Sequence, residues 1–539
     1  MRQHQHRHAQ DAPKPSTPAC RQGTFVLANC PAQRHTTPVE NRSPGGGSAG
    51  SNPAGHRIWP AFRPQQRPRS TPTPPAGHAT TQAYGQRQIS KLLFGEPKAW
   101  IRQIERALFG RLKVAGYAQK VRVAGDYLPR RAAELIRDAL EDTRVVVVTG
   151  ARQVGKSTLA ELVLRQYSGS TARFLDDPVA RAAAREDPVR FVRHDGLMLI
   201  DEVQRVPDLW LAIKHTVDRD PRPGRFLLTG SARLLALRSI PDALPGRSET
   251  IELWPLSQGE IDGAADGFVD AVFASGADLR VEPEEMHQKD YLARAARGGY
   301  PEAVRRAAPR RRARFFDGYL SDILARDVKQ VADIERASDM RRLISLLATQ
   351  VGGLLNASRL ANDLRISAPT VRNYLGILET IYLVRLVPAW SANATTRAIA
   401  TPKLIFVDSG MAAHLTPGAP EGSCGGLLEN FVLSELSRQL TWSRTSAQLY
   451  HYRDRDNYEV DGVLEDNTGQ IVGIEVKATE TVRADDFRGL RLLQRRVGSH
   501  FRAGLVLYCG TQQLSFGEAL SCVPISALWT AHEPALPIR

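Results

Sequence analysis

The residues Gly150, Ala151, Arg152, Gln153, Val154, Gly155, Lys156, Ser157 and Thr158 carry the spacing GxxxxGK[ST]. Glycines at both ends let the backbone curl until its N–H groups face inward, a shape that suits a polyphosphate. The Lys156 ammonium supplies a point charge for the β and γ phosphates, and the Ser157 hydroxyl offers a ligand to Mg2+. Thr158 is expected to cap or pack within the first helical turn. The implied ligand is ATP with Mg2+.

A second chemical feature follows the apolar run Leu197 to Ile200, which ends at Asp201 and Glu202. Asp201 is placed to hold a magnesium-bound water, and Glu202 to orient an attacking water. Ser231, just past the run Phe226 to Thr229, is expected to sense the γ phosphate or to cap a helix. Arg247 either stabilises phosphoryl charge, in its own chain or a neighbour's, or is a surface arginine. The candidate catalytic set is therefore Lys156, Glu202 and Arg247.

A third group lies near the end of the chain. Asp461 sits in one strand, and Glu475 and Lys477 share a face of the next, because side chains two apart in a strand point the same way. Adjacent antiparallel strands would bring Asp461 and Glu475 together as ligands for a second divalent cation, with Lys477 and Glu429 nearby. That set would suit attack on a phosphodiester. The alternative is a hairpin with an ordinary cross-strand ion pair.

The elements that must position these residues are also legible. Short β-branched runs alternate with helical segments from Tyr127 to Ser257, the pattern of βαβ units on a parallel sheet. Val145 to Val148, Leu197 to Ile200 and Phe226 to Leu228 are expected as central strands buried on both faces. Further on, Leu343–Val351, Ser358–Leu364 and Ala368–Thr380 have helix-turn-helix spacing. In the third helix Val371, Tyr374, Leu375 and Leu378 face inward, which leaves Thr370, Arg372 and Asn373 outward. A strand from Tyr382 to Val387 would begin a wing. Such a module either contacts DNA or packs beside the first domain, and both readings stay open.

Gly150 to Thr158, Leu199 to Gln204, Leu228 to Ala232, Gly246 with Arg247, and Trp254 to Ser257 together resemble a family of bacterial and archaeal AAA-type ATPases. The resemblance covers most of the chain after Val121 and implies ATP binding. Gly298 to Glu302 and Tyr319 to Asp327 resemble the segment that opens that family's C-terminal domain of unknown function. Asp461 with Glu475 and Lys477 resembles the PD-(D/E)xK nuclease fold, although the Pro-Asp pairing is absent.

The expected fold class is α/β: a P-loop NTPase parallel-sheet domain at 122–260, a helical segment at 285–337, a winged-helix-like module at 338–390, and a restriction-endonuclease-like domain at 400–530. Before them, 1–88 reads as a disordered Pro/Gly/Arg-rich tail and 89–121 as a linker helix. Lys and Arg number 72 against 57 Asp and Glu, for a net charge of +15, which favours anionic partners such as DNA. Five cysteines form no CxxC pair, which fits a reducing compartment. No apolar run is long enough to cross a bilayer, so a cytoplasmic protein without a membrane partner is expected, working as a homo-oligomer or with a protein partner.

Overall fold

The end of the expected linker helix is a strand. Gln119–Val123 forms β1 and pairs antiparallel with β2, Asp126–Arg130, so that Val121 lies opposite Leu128. Lys120 to Val123 alternates polar and apolar residues, and that period of two overrides the helical spacing upstream. The computed structural model describes residues 119–123, 126–230, 244–328, 337–393, 400–416 and 424–532, with positions 395, 397 and 418. The expected tail at 1–88, the remainder of the linker helix and Ser231 lie outside the described residues.

Helix α1 (Ala132–Asp142) leads into β3 (Val145–Gly150), and α2 (Lys156–Leu164) follows. After β4 (Thr171–Phe174) and β5 (Met198–Asp201) come α3 (Leu209–Arg219), β6 (Phe226–Thr229), β7 (Ser248–Leu253) and the short α4 (Gln258–Asp262). Five of these strands make a wholly parallel sheet in the order β4-β5-β6-β3-β7. The valines of β3 show why it is central: Val146 and Val148 join α1 and α2 in one core, while Val145 and Val147 join Trp210 and Ile213 of α3 in another. Because all five strands run the same way, Gly150, Asp201 and Thr229 end at one edge of the sheet.

The middle of the chain is helical, with α5 (Pro309–Asp322), α6 (Ala337–Thr349), α7 (Ala357–Leu364) and α8 (Ala368–Thr380). At the start of α8 the Ser367 hydroxyl accepts from Thr370 N at 3.2 Å, and Pro369 occupies the first turn. Val371, Tyr374, Leu375 and Leu378 are buried as their spacing requires, and Arg372 and Asn373 are exposed. Thr370 is only half-exposed and hydrogen-bonds the Ser367 hydroxyl. The strand after α8 begins later than its sequence suggests, at β8 (Val384–Val387), since Tyr382 takes the left-handed conformation with φ 61°. β8 pairs with β9 (Lys403–Phe406). Residues of α5 to α8 share one continuous apolar core with Val146 and Val148, so the segments at 285–337 and 338–390 lean on the parallel sheet itself.

At the C-terminal end, α9 (Cys424–Gln439) precedes β10 (Ala447–Arg453), β11 (Glu459–Asp466) and β12 (Ile471–Lys477). α10 (Arg488–Val497), β13 (Phe501–Tyr508), β14 (Leu514–Gly517) and β15 (Leu520–Pro524) complete a mixed sheet ordered β10-β11-β12-β13-β15-β14. α9 covers one face through Leu428, Phe431, Val432 and Leu436, and α10 covers the other through Leu490 and Leu493. Among the described residues no helix is long and apolar enough to cross a membrane.

Candidate functional site

The phosphate loop is shaped by backbone that few side chains tolerate. Gly150, Gln153 and Gly155 have φ of 144°, 61° and 95°, and a Cβ on Gly150 would stand 2.1 Å from the Leu253 carbonyl oxygen of the next strand. Gly155 caps α2 without any side chain, so the N–H groups of the first turn remain for an anion. Lys156 is buried, and its Nζ donates to the carbonyls of Gly150 at 3.1 Å and Ala151 at 2.7 Å. Ser157 and Thr158 follow in the first turn and are half-exposed. Arg152 is half-exposed, Ala151 and Val154 are buried, and Gln153 is exposed.

At the tip of β5, Asp201 is buried and accepts from the Thr229 hydroxyl. That same hydroxyl accepts from Glu202 N at 3.1 Å, so Thr229 ties the two acidic residues to the neighbouring strand. Glu202 sits in the left-handed region at φ 57°, a conformation that costs of order 1–3 kcal/mol for a residue with a side chain and that clusters at functional sites. Its carboxylate accepts from Gln204 Nε2. Burial raises the Glu202 pKa above the usual range, and the nearby Lys156 charge partly offsets that shift. Lys156, Asp201 and Glu202 therefore converge, as their motifs anticipate.

Arg247 does not join them. It precedes β7, whose Ser248 lies beside Val145 at the start of β3, whereas the phosphate loop leaves the end of that strand at Gly150. The six residues of β3 span roughly 17 Å at about 3.3 Å per residue, beyond the reach of an arginine. Arg247 instead pairs with Asp218 at 2.5 Å, close to the end of α3.

Three contributors have roles the motifs did not assign. Thr229, although inside the Leu228–Ala232 stretch, is one. Arg130, in β2, is another: it is 2% exposed and donates to the Val154 carbonyl of the phosphate loop at 2.8 Å and to the Trp254 carbonyl at 2.6 Å, while pairing with Glu260 at 3.2 Å. The third is Tyr382, whose hydroxyl lies 3.0 Å from Thr149 Oγ1 and 3.4 Å from Glu252 Oε1. Thr149 and Glu252 are register partners on β3 and β7, immediately below the phosphate loop.

Behind this edge runs a buried polar junction. Ser257 forms a capping box with Glu260 and donates to Asp266 at 2.5 Å. Leu256 N donates to the Gly299 carbonyl at 2.8 Å, and Gly299 N to Asp408 at 2.6 Å. Gln258 N donates to Glu435 of α9 at 3.0 Å, and Arg438 pairs with Glu435. Burial raises the pKa of Asp266, Asp408 and Glu435; at Asp266 the charge of Glu435 adds to the effect.

The carboxylates near the C-terminus also meet. Asp461 accepts from Val476 N at 2.9 Å, next to Glu475, and Lys477 donates to Glu475 at 2.8 Å. Glu429 reaches the same place from α9, with the buried Lys403 of β9 between it and Asp461.

Residues 142–262 match the family described as AAA domain. Residues 288–421 and 424–528 match two families, each described as a domain of unknown function (DUF8612 and DUF4143). An uncharacterized protein of Mycobacterium tuberculosis is 29% identical over 408 residues, covering 74% of this chain and 84% of its own. One from Haemophilus influenzae is 26% identical over 246 residues, covering 45% and 57%. Among solved structures, a Walker-type ATPase of Pyrococcus abyssi is 15% identical, with 53% of this chain and 95% of the other covered and a TM-score of 0.34. The AMPPCP-bound DnaA of Aquifex aeolicus is 15% identical, covering 50% and 89%, with a TM-score of 0.25. The family match and the cradle geometry make 142–262 a nucleotide-binding α/β P-loop domain of the AAA type.

Proposed function

We propose that the chain binds ATP with Mg2+ and hydrolyses it at the sheet edge formed by β3, β5 and β6. The observation that carries this reading is the meeting of an uncapped helix start, a buried lysine and two acidic residues at one point. Lys156 would hold the β and γ phosphates, and Ser157 and Asp201 would hold Mg2+, which neutralises phosphate charge when bound. Glu202 would orient the attacking water and accept its proton. Thr229, bonded to both acidic residues, would hold them in place beside the γ phosphate, and Ser231 would sense that phosphate or cap a helix.

We further propose that nucleotide state is passed to the C-terminal modules, making the chain a nucleotide-dependent switch on DNA. Tyr382 touches the strand that ends in the phosphate loop, and it follows directly on α8. Arg372 and Asn373, exposed on α8, suit phosphates and base edges. The net charge of +15 favours the same partner. A switch acting on a protein partner is the competing reading, and Arg247 would take part in phosphoryl chemistry only from a second copy.

Phosphate release measured with and without duplex DNA tests both parts. Turnover by the parent, suppressed in Glu202→Gln and altered by DNA unless Arg372 and Asn373 are replaced, is the expected result. Absence of turnover counts against hydrolysis; turnover indifferent to DNA counts against the DNA switch.

A further inference from the structure

The nuclease-like carboxylate cluster already contains a cation of its own. Lys403 is 0% exposed at its side chain, and its Nζ contacts Glu429 Oε1 at 2.5 Å and both Glu459 Oε1 and Asp461 Oδ1 at 3.1 Å. Its backbone is fixed on both sides, by pairing with Val387 of β8 and by a bridge to Leu354. The ammonium is thus delivered from a braced strand into the middle of three carboxylates that arrive from α9 and β11.

The other oxygen of the central Asp461 carboxylate is also taken up. Asp461 Oδ2 accepts from Val476 N at 2.9 Å. Glu429 Oε2 lies close against Gly352, where even a Cβ would stand only 2.9 Å away. Glu475 is bonded to Lys477 through Oε1, while its buried Oε2 has no hydrogen-bond partner. A hard divalent cation takes six or more oxygen ligands, water included, at about 2.0–2.6 Å, and here an ammonium already stands among the Glu429, Glu459 and Asp461 oxygens. A second, doubly charged cation beside it would meet direct like-charge repulsion. Among the described residues no group of three or more His, Cys, Asp or Glu side chains is arranged to hold a metal ion.

We infer that Lys403 is the resident cation of the carboxylates of Glu429, Glu459 and Asp461, in place of a metal ion held by those groups. The module therefore keeps the carboxylate arrangement as a charge-balanced frame and does not cut nucleic acid through a bound divalent ion. The inference is independent of the nucleotide site, which lies on another sheet.

The test is Mn2+ binding by the full chain without nucleotide, followed by electron paramagnetic resonance, together with plasmid nicking. The expected result is that Mn2+ stays free, that plasmid stays intact, and that Lys403→Met melts at a lower temperature, with Mn2+ restoring part of the loss in that variant alone. Removing Lys403 leaves its buried carboxylates uncompensated, which is why a vacated site should recruit a cation. One Mn2+ retained per chain and lost in Asp461→Asn would overturn the inference, as would metal-dependent nicking lost in that variant. If Lys403→Met fails to fold, binding and nicking by the parent chain decide the question. A folded Lys403→Met that melts like its parent also overturns it.

Discussion

The Tyr382 hydroxyl donates to Thr149 Oγ1 across 3.0 Å, and Thr149 is the residue immediately before Gly150, where the phosphate loop begins. Tyr382 is buried, and its ring packs in the core shared by α8 and the parallel sheet. One hydroxyl thus joins the helical module to the root of the nucleotide cradle.

Tyr382→Phe keeps the ring and deletes that bond, so a loss of about 0.5–1.5 kcal/mol is expected in urea unfolding. A double-mutant cycle with Thr149→Val should return a coupling of at least about 0.5 kcal/mol, as contacting residues do. Additive losses would show that the contact carries no energy.

Glu202→Gln should keep ATP bound while lowering turnover by roughly 100-fold or more, the span typical of a lost general base. Because burial raises the Glu202 pKa, the carboxylate gains its proton at a higher pH than an ordinary glutamate as the solution is acidified. The acid limb of kcat against pH should therefore lie above the normal glutamate range, near 4.3. A limb at or below that range would remove Glu202 from the role.

Arg130 holds the Val154 and Trp254 carbonyls and Glu260 while almost wholly buried. Arg130→Met strands the Glu260 carboxylate in the interior, which typically costs about 3–5 kcal/mol. Thermal unfolding of the variant should fall by many degrees, with nucleotide affinity reduced as Val154 loses its anchor. An unchanged melting temperature would mean that the pair is not formed in solution.

The P-loop, the acidic strand end and the helix starting at Ala368 could be read in the sequence because each is local: glycines, caps and periodicity are set by neighbours in the chain. Ser367, Pro369 and Val371 placed the start of α8 correctly for that reason. Arg130, Thr229, Tyr382 and Lys403 were not legible, since each acts on residues far along the chain and resembles any other arginine, threonine, tyrosine or lysine until the fold brings it home. Arg247 was legible only in part: of its three readings, the fold leaves the one within its own chain out of reach. Its motif suggested phosphate, but the parallel register of β7 puts it at the wrong end of the sheet.

Asp266 should make stability fall as pH rises. Its folded pKa is raised, so the native state holds a proton that the unfolded chain releases near pH 3.9. The stabilisation linked to that proton is complete below the unfolded value and is lost as pH climbs through the folded one. Asp266→Asn removes the dependence, so the variant should gain on its parent between acid and neutral pH in urea unfolding. A constant difference between the two would show that Asp266 stays ionised.

Calorimetric titration of the folded chain with a non-hydrolysable ATP analogue and Mg2+ bears most directly on the central claim, that backbone amides and the Lys156 ammonium grip a triphosphate. One analogue bound per chain, weakened at least about tenfold by Lys156→Ala, is the expected result and corresponds to about 1.4 kcal/mol or more. No binding by the folded parent, or equal binding by Lys156→Ala, would contradict it.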